Sequence, residues 1–256
     1  MMPPVPVPTI PHFKKFVGHR LRLDAKTGGW LLAVFSVIRF ALVLQANVTR
    51  SYQVVALVFV AMILLPFLLL TRAGRRQIGL VWPARWWSVL LGGVVGVVSC
   101  AGLFYLASLC FGLTESNPLV YISRTYKVPT VLTADTRRLF FLIYAGTSMV
   151  FSPIGEELFY RGLVHECFRA SLGNARATLL DSAAFAVVHL AHFGLVYSGS
   201  GWHFLLGPSL LWVAGLFISC LLFSLARAWS GSILGAMTAH ALFNVTMSYF
   251  IFYHIL

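Results

Sequence analysis

Long apolar runs, separated by short polar or basic stretches, make up most of the chain. A helix that crosses a bilayer needs about 20 mainly apolar residues, and the chain offers such runs repeatedly from Trp30 onward. The pattern predicts an all-α protein, a polytopic transmembrane helical bundle with about seven spanning helices. The predicted helices lie near residues 30–48, 52–71, 86–113, 139–160, 176–197, 203–226 and 231–254.

Composition supports the same class of protein. Of the 256 residues, 59% are hydrophobic and 10% are charged, whereas roughly a quarter of the residues in a soluble domain are charged. The net charge of +12 would suit a nucleic-acid-binding protein. However, the basic residues cluster between the apolar runs, where the positive-inside rule expects them. We therefore expect these charges to face the lipid bilayer, and we expect no binding of nucleic acid.

The segment before the first predicted span differs from the rest of the chain. Residues 1–29 are rich in proline and then in lysine and arginine. This predicts a cytoplasmic tail ahead of a transmembrane domain over residues 30–256. The tail lacks the apolar core of a cleavable signal peptide. We expect an integral protein of a prokaryotic inner (plasma) membrane, with its N-terminus in the cytoplasm.

Acidic residues are rare, and most of them are close together. Only seven exist, and four fall within residues 156–181. Glu157 and Arg161 are four residues apart and share one face of a helix, which favours an ion pair. Glu156 points about 100° away from Glu157 around the helix. Its charge therefore needs a partner from another part of the chain.

Two later predicted helices each carry a histidine with a neighbour one turn away. Phe185 can pack beside His189, and His240 shares a helix face with Asn244. Together with Glu156, these residues permit two chemistries. In the first, Glu156 is the general base for a water molecule that a histidine holds, while His240 and Asn244 donate hydrogen bonds to the oxyanion. In the second, Glu156, His189 and His240 bind zinc, which activates the water.

Three motifs, in this order, resemble those of a known family. Residues 156–161 read EELFYR and fit EExxxR, residues 185–189 read FAVVH and fit FxxxH, and residues 240–244 read HALFN and fit HxxxN. Together they resemble the CPBP family (Abi, or CAAX protease and bacteriocin-processing) of intramembrane proteases, which is related to the eukaryotic prenyl-protein endopeptidases. The resemblance covers residues 139–250.

The resemblance implies an intramembrane endopeptidase that acts on a membrane-associated peptide or protein. Glu156 would be the catalytic base and His189 would help to hold the nucleophilic water. His240 and Asn244 would stabilise the oxyanion. Supporting roles would fall to the other motif residues, Glu157, Arg161 and Phe185. The family is described both as metal-dependent and as glutamic. We favour the form without a metal cofactor, because asparagine is a poor zinc ligand but a good oxyanion donor, and zinc bound by Glu156, His189 and His240 stays the alternative.

Two other functions stay open at this point. A non-catalytic membrane protein, such as an immunity or scaffold factor, would keep the fold, and Glu156→Gln would then leave its biological activity unchanged. A transporter would use the same polar residues as a relay. It would also be expected to carry inverted repeats, and the sequence shows no internal repeat.

Three polar residues have no role in this interpretation. Arg39 lies inside the first predicted span, where it either snorkels to the interface or pairs with an acid that the sequence does not identify. Asp181 lies two turns before His189, and His192 lies outside the motifs. With a cytoplasmic N-terminus, Glu156 falls toward the cytoplasmic end of the fourth predicted helix, so we expect the site to open on that side.

Overall fold

A computed structural model describes residues 12–256 of the protein. The chain forms a helical bundle, and the apolar runs of the sequence become its long helices. A short antiparallel sheet of β1 (Leu195–Tyr197) and β2 (Trp202–Phe204) lies between two of the helices. Within these residues the α-helices are α1 (Lys15–Gly18), α2 (Ala25–Thr49), α3 (Gln53–Leu69), α4 (Arg72–Gln77), α5 (Trp86–Phe111), α6 (Pro118–Ser123), α7 (Ala134–Glu156), α8 (His165–Leu172), α9 (Asn174–Val188), α10 (Leu206–Ser230) and α11 (Ile233–Phe250).

Four helical segments in the described part of the chain are long and apolar enough to cross a membrane. They are α2, α5, α10 and the continuous segment Ala134–Leu172, in which a π-helix (Glu157–Val164) joins α7 to α8. Helix α3 is apolar but shorter. The all-α bundle is confirmed. The predicted count of about seven spans is not, because the remaining helices are shorter or less apolar.

Large apolar side chains on the outer faces of the long helices are exposed. Leu57 is 66% exposed, Val98 64% and Leu109 84%. A monomeric protein in water rarely exposes so extended an apolar surface, whereas lipid chains cover one without cost. This exposure agrees with the integral membrane protein that the composition predicts.

The connections between helices collect at two ends of the bundle. One end, called the basic end below, carries residues 12–24, residues 70–85 and the α10–α11 turn, and backbone hydrogen bonds join these segments. The opposite end, called the distal end, carries residues 50–52 and 112–133, the β1–β2 hairpin and the C-terminus. Tryptophans at positions 82, 86 and 87 are exposed at the basic end, as expected for side chains at a membrane–water interface.

Part of the segment predicted as a tail packs against the bundle. The backbone N–H of Lys14 donates to the carbonyl oxygen of Leu69 at 2.9 Å, and Phe13 is buried. Helix α2 begins at Ala25 rather than near residue 30, because the Asp24 side chain caps it by accepting from the N–H of Thr27 at 2.8 Å. Residues 1–11 of the predicted tail lie outside the described residues.

The helix predicted over residues 176–197 ends earlier than expected. Helix α9 stops at Val188, one 3₁₀ turn follows (His189–Ala191), and the chain then turns at Gly194 with φ 121°. Such a φ value suits glycine and ends regular helix. The sequence-based prediction missed the hairpin because its strands are only three residues long and mainly apolar, so hydropathy does not distinguish them from the ends of the neighbouring helices. His189 consequently lies at the end of a helix instead of inside one.

Close packing between α5 and α11 fixes the position of His240, the histidine of the third motif. A Cβ atom on Gly96 would overlap the carbonyl oxygen of Ala239, the neighbour of His240. Helices in membranes approach this closely where small residues face each other. A similar approach of Gly155 to the backbone of Phe59, where a Cβ would lie 2.7 Å from the carbonyl oxygen, fixes α7 against α3 beside Glu156.

Candidate active site

The four predicted catalytic residues line one cavity of about 490 Å³. Glu156 comes from the end of α7, His189 from the turn after α9, and His240 and Asn244 from α11. All four side chains are buried within the bundle. The structure therefore brings together the residues that three separate motifs supplied.

Glu156 has the distant partner that its position on the helix required. Its Oε1 lies 2.6 Å from Nη2 of Arg39, and both side chains are almost fully buried. Its other oxygen, Oε2, accepts a hydrogen bond of 2.6 Å from the hydroxyl of Ser152, one turn earlier on α7. The two residues that the sequence left without partners, Glu156 and Arg39, are thus partners of each other.

His189 is held through both ring nitrogens. Nδ1 lies 2.6 Å from the carbonyl oxygen of Phe185, which can only accept, so Nδ1 carries a proton and donates. Nε2 lies 3.0 Å from Nη2 of Arg39. The ring of Phe185 also packs against the imidazole with 4.3 Å between centroids, as the spacing in the sequence predicted.

His240 lies between the two glutamates of the first motif. Its Nδ1 is 2.8 Å from Oε1 of Glu157, and its Nε2 is 3.7 Å from Oε2 of Glu156. Glu157 also forms the predicted ion pair with Arg161, at 3.3 Å. The guanidinium of Arg161 lies 4.5 Å from the centroid of the Phe185 ring, which adds a cation–π contact to the pair. Glu157 therefore positions an imidazole as well as balancing a buried arginine.

Asn244 lies one turn beyond His240 on the wall of the same cavity. Its Nδ2 donates to the carbonyl oxygen of Ser148 on α7 at 3.0 Å. This bond uses one of the two amide N–H groups, so the second is available to a group in the cavity.

The cavity extends from mid-depth in the bundle to the distal end. It reaches Arg50 and Lys127, both exposed, and Tyr52, all in the segments that connect helices at that end. Arg39 is ten residues before the distal end of α2, which places the polar cluster about 15 Å below that end at 1.5 Å per residue. The expectation that the site opens toward the side of the N-terminus is wrong, because the described lining residues reach the opposite end.

The wall of the cavity is mainly apolar, with a few hydroxyl groups. Phe59, Phe151 and Phe243 line it together with Tyr126 and Tyr144. The two tyrosine rings stack with 4.2 Å between their centroids. Burial raises the pKa of Tyr126 to about 12, so its phenol keeps its proton and can donate a hydrogen bond. Such a lining suits an apolar segment that carries a few polar groups.

Two other polar residues noted in the sequence, Asp181 and His192, differ in where they lie relative to the cavity. Asp181 is buried away from the cavity lining and pairs with Nδ1 of His165 at 2.7 Å. It orients a polar neighbour, but not one of the four site residues. His192 lines the cavity and stacks on His189 with 5.3 Å between ring centroids.

A zinc ion bound by Glu156, His189 and His240 does not fit this arrangement. Zinc needs a lone pair from each ligand, but Nε2 of His189 and Oε1 of Glu156 both face the guanidinium of Arg39. Arginine is permanently charged, so a cation already lies between two of the three supposed ligands. Among residues 12–256, no group of three or more His, Cys, Asp or Glu side chains is arranged to hold a metal ion.

Reasoning from the sequence missed two members of the site. Ser152 lies four residues before Glu156, and that spacing would have indicated a contact on one helix face. Arg39 was noticed as a charge inside an apolar run. The sequence contained a signal for the pairing, since Arg39 and Glu156 were the two membrane-depth charges without local partners.

Comparison with known proteins agrees with the motifs. Residues 138–246 match the family model of type II CAAX prenyl endopeptidase Rce1-like proteins. No curated protein and no solved structure matches the chain. The resemblance to the CPBP family is thus confirmed over these residues, and the match supports a CAAX-type intramembrane protease in general. The matched segment contains all four residues predicted to be catalytic, but not Arg39.

Proposed function

We propose that the protein is an intramembrane endopeptidase of the glutamic type. It hydrolyses a peptide bond in a membrane-associated peptide or protein, with Glu156 as the base that activates water. The observation that carries the proposal is the convergence of Glu156, His189, His240 and Asn244 on one buried cavity that reaches an end of the bundle. Buried polar groups at membrane depth are costly and generally serve a function.

Glu156 and His240 supply the first step. Oε2 of Glu156 and Nε2 of His240 are 3.7 Å apart, so one molecule in the cavity can contact both atoms. A water molecule there loses a proton to the Glu156 carboxylate as its oxygen bonds to the carbonyl carbon of the peptide. General base catalysis of this kind contributes about 10²–10⁴-fold to a rate.

His240 and Asn244 stabilise the oxyanion that forms on the carbonyl oxygen. Asn244 offers its free amide N–H, and His240 donates through Nε2. Because Nδ1 of His240 also donates to Glu157, the ring carries both protons in this step. Glu156 then passes the proton to the leaving nitrogen, the C–N bond breaks, and the products are a carboxylic acid and an amine.

The cavity also supports the class of substrate. Its wall is mainly apolar, and its inner end carries the cluster of Glu156, His189, His240 and Asn244. An extended segment of a membrane peptide can place apolar side chains against the wall and its backbone carbonyl beside Glu156. A free polar peptide would leave this wall in contact with water.

The test compares wild type, Glu156→Gln and Glu115→Gln after purification in detergent and removal of metals with a chelator. Glu115 is a matched control, because it pairs with Arg124 at the surface and is 67% exposed. Cleavage of fluorogenic membrane peptides is then followed. We expect cleavage by wild type and Glu115→Gln and none by Glu156→Gln. Equal cleavage by Glu156→Gln would refute the role of Glu156, and activity that requires added zinc would refute the metal-free mechanism.

A further inference from the structure

Arg39 is isolated from other charged residues along α2. Between Lys26 and Arg50 it is the only charged residue in the sequence. It lies 2% exposed in the bundle interior, on the wall of the cavity. Moving a guanidinium to this depth costs several kcal/mol on insertion scales. A buried ion pair rarely returns more stability than apolar packing would, so stability alone does not account for an arginine here.

One nitrogen of Arg39 contacts both the predicted catalytic base and the histidine predicted to hold the water. Nη2 is 2.6 Å from Oε1 of Glu156 and 3.0 Å from Nε2 of His189. Guanidinium groups only donate hydrogen bonds, so Nε2 of His189 accepts and the single proton of this imidazole is on Nδ1, where it bonds Phe185. Arg39 therefore selects the tautomer of His189.

The same contact fixes the orientation of the Glu156 carboxyl group. With Oε1 held 2.6 Å from Nη2 of Arg39, the other oxygen, Oε2, faces Nε2 of His240. The other charged or titratable groups around this pair are His189, His192, His240 and the hydroxyl of Tyr160. Arg39 is the one member of this group with a permanent positive charge.

We propose that Arg39 is a positioning residue of the hydrolysis reaction, and that its guanidinium supplies at this site the fixed positive charge that a metal ion would otherwise bring. It holds Glu156 and His189 in place from α2, which is outside the segment that matches the protease family. This inference rests on the proposed function. It adds a fifth residue to the site and explains why the metal does not fit.

The activity test uses Arg39→Gln, Arg39→Lys and Lys26→Gln. Lys26 is the matched control, because it is an exposed cation on the same helix. Misplacing a reacting group by about 1 Å costs about 100-fold in rate, so we expect kcat of Arg39→Gln to fall about 100-fold while KM changes little. Lysine keeps the charge and can donate to both partners, so kcat of Arg39→Lys should be at least tenfold higher than kcat of Arg39→Gln. Lys26→Gln should match wild type.

A second measurement needs no variant at Arg39. Tag-free, metal-stripped wild type is titrated with zinc by calorimetry, with Glu156→Gln as the reference. We expect wild type to bind no more zinc than Glu156→Gln, because the guanidinium of Arg39 repels the ion from the three candidate ligands. This measurement decides the question even if Arg39→Gln does not fold or no peptide is cleaved.

Two results would overturn the role of Arg39. One is wild-type kcat in a folded Arg39→Gln protein whose Glu156→Gln counterpart is inactive. The other is stoichiometric zinc binding by wild type that depends on Glu156. In contrast, cleavage that does not depend on Glu156 refutes the proposed function, and the inference on Arg39 fails with it. Because the first result above leaves the role of Glu156 intact, the two failures are distinguishable.

Discussion

Nδ1 of His240 lies 2.8 Å from Oε1 of Glu157, and the same oxygen lies 3.3 Å from Arg161. The second glutamate of the EExxxR motif therefore has two partners, one on its own helix and one on α11. A carboxylate that accepts from Nδ1 fixes the direction in which Nε2 points. Since Nε2 of His240 points toward Glu156, the two adjacent glutamates act on opposite sides of one imidazole.

Replacement of Glu157 by glutamine is expected to lower both stability and activity. The substitution removes the carboxylate that is paired with the buried Arg161, and breaking a buried pair in this way costs about 3–5 kcal/mol. The weaker hold on His240 should lower kcat by about 10–100-fold, by analogy with the loss seen when partners that orient metal-binding histidines are removed. Thermal unfolding in detergent and peptide cleavage measure the two effects. Glu115→Gln, in an exposed ion pair, should change neither, and an unchanged melting temperature in Glu157→Gln would contradict the pairing described here.

Asn244→Ala should affect the chemical step and not substrate binding. Removing one donor from an oxyanion site lowers kcat by about 10²–10³-fold, and KM should stay near the wild-type value because the donor acts on the charge that develops in the transition state. Steady-state kinetics on the best peptide measure both constants. Thr246→Val, on the same helix, removes only a hydroxyl bonded to the carbonyl oxygen of Leu242 and should retain wild-type kinetics. A rise in KM without a fall in kcat would assign Asn244 to substrate binding.

Local spacing predicted those parts of the site that lie on one helix. The pair of Glu157 and Arg161 and the packing of Phe185 beside His189 both follow from a separation of four residues, and the structure has both. The absence of a local partner for Glu156 was also a sound basis for expecting a distant one. Each of these inferences needs only helix geometry.

Contacts between helices were beyond such reasoning. The pairing of Arg39 with Glu156 depends on how α2 packs beside the π-helix that follows Glu156, and the contact of Glu157 with His240 depends on how α11 packs beside the same segment. Hydropathy alone also extended the helix after residue 176 past its end at Val188, and the count of about seven spans stays a prediction. The opening of the cavity at the distal end follows from the same tertiary packing.

The close approach at Gly96 can be tested against a second glycine on α5. A Cβ at Gly96 would overlap the backbone of Ala239, whereas nothing lies within 4 Å of a Cβ at Gly102. Overpacking typically costs about 1–3 kcal/mol, so Gly96→Ala should lower the melting temperature and, by displacing His240, kcat. Gly102→Ala should keep wild-type activity and unfold at the same or a higher temperature, because alanine favours helix over glycine. Equal stability of the two variants would show that α5 and α11 are less closely packed than described.

The side of the membrane on which the cavity opens can be determined by cysteine labelling. If the basic end faces the cytoplasm, as the positive-inside rule predicts, the cavity opens on the non-cytoplasmic side. Val131, 77% exposed, marks the distal end and Ala84, also exposed, marks the basic end. Each is replaced by cysteine in a background where the exposed Cys110 is changed to serine. On intact cells, a membrane-impermeant maleimide should label Val131→Cys, and it should label Ala84→Cys only after permeabilisation.

The labelling pattern also limits the choice of substrates. Labelling of Val131→Cys from outside would direct the search to peptides whose cleaved segment lies in or beyond the non-cytoplasmic leaflet. The opposite pattern would refute the predicted N-in orientation and place the cavity mouth in the cytoplasm. It would leave the geometry of Glu156, Arg39 and His240 unchanged, because those contacts do not depend on which side of the membrane the chain faces.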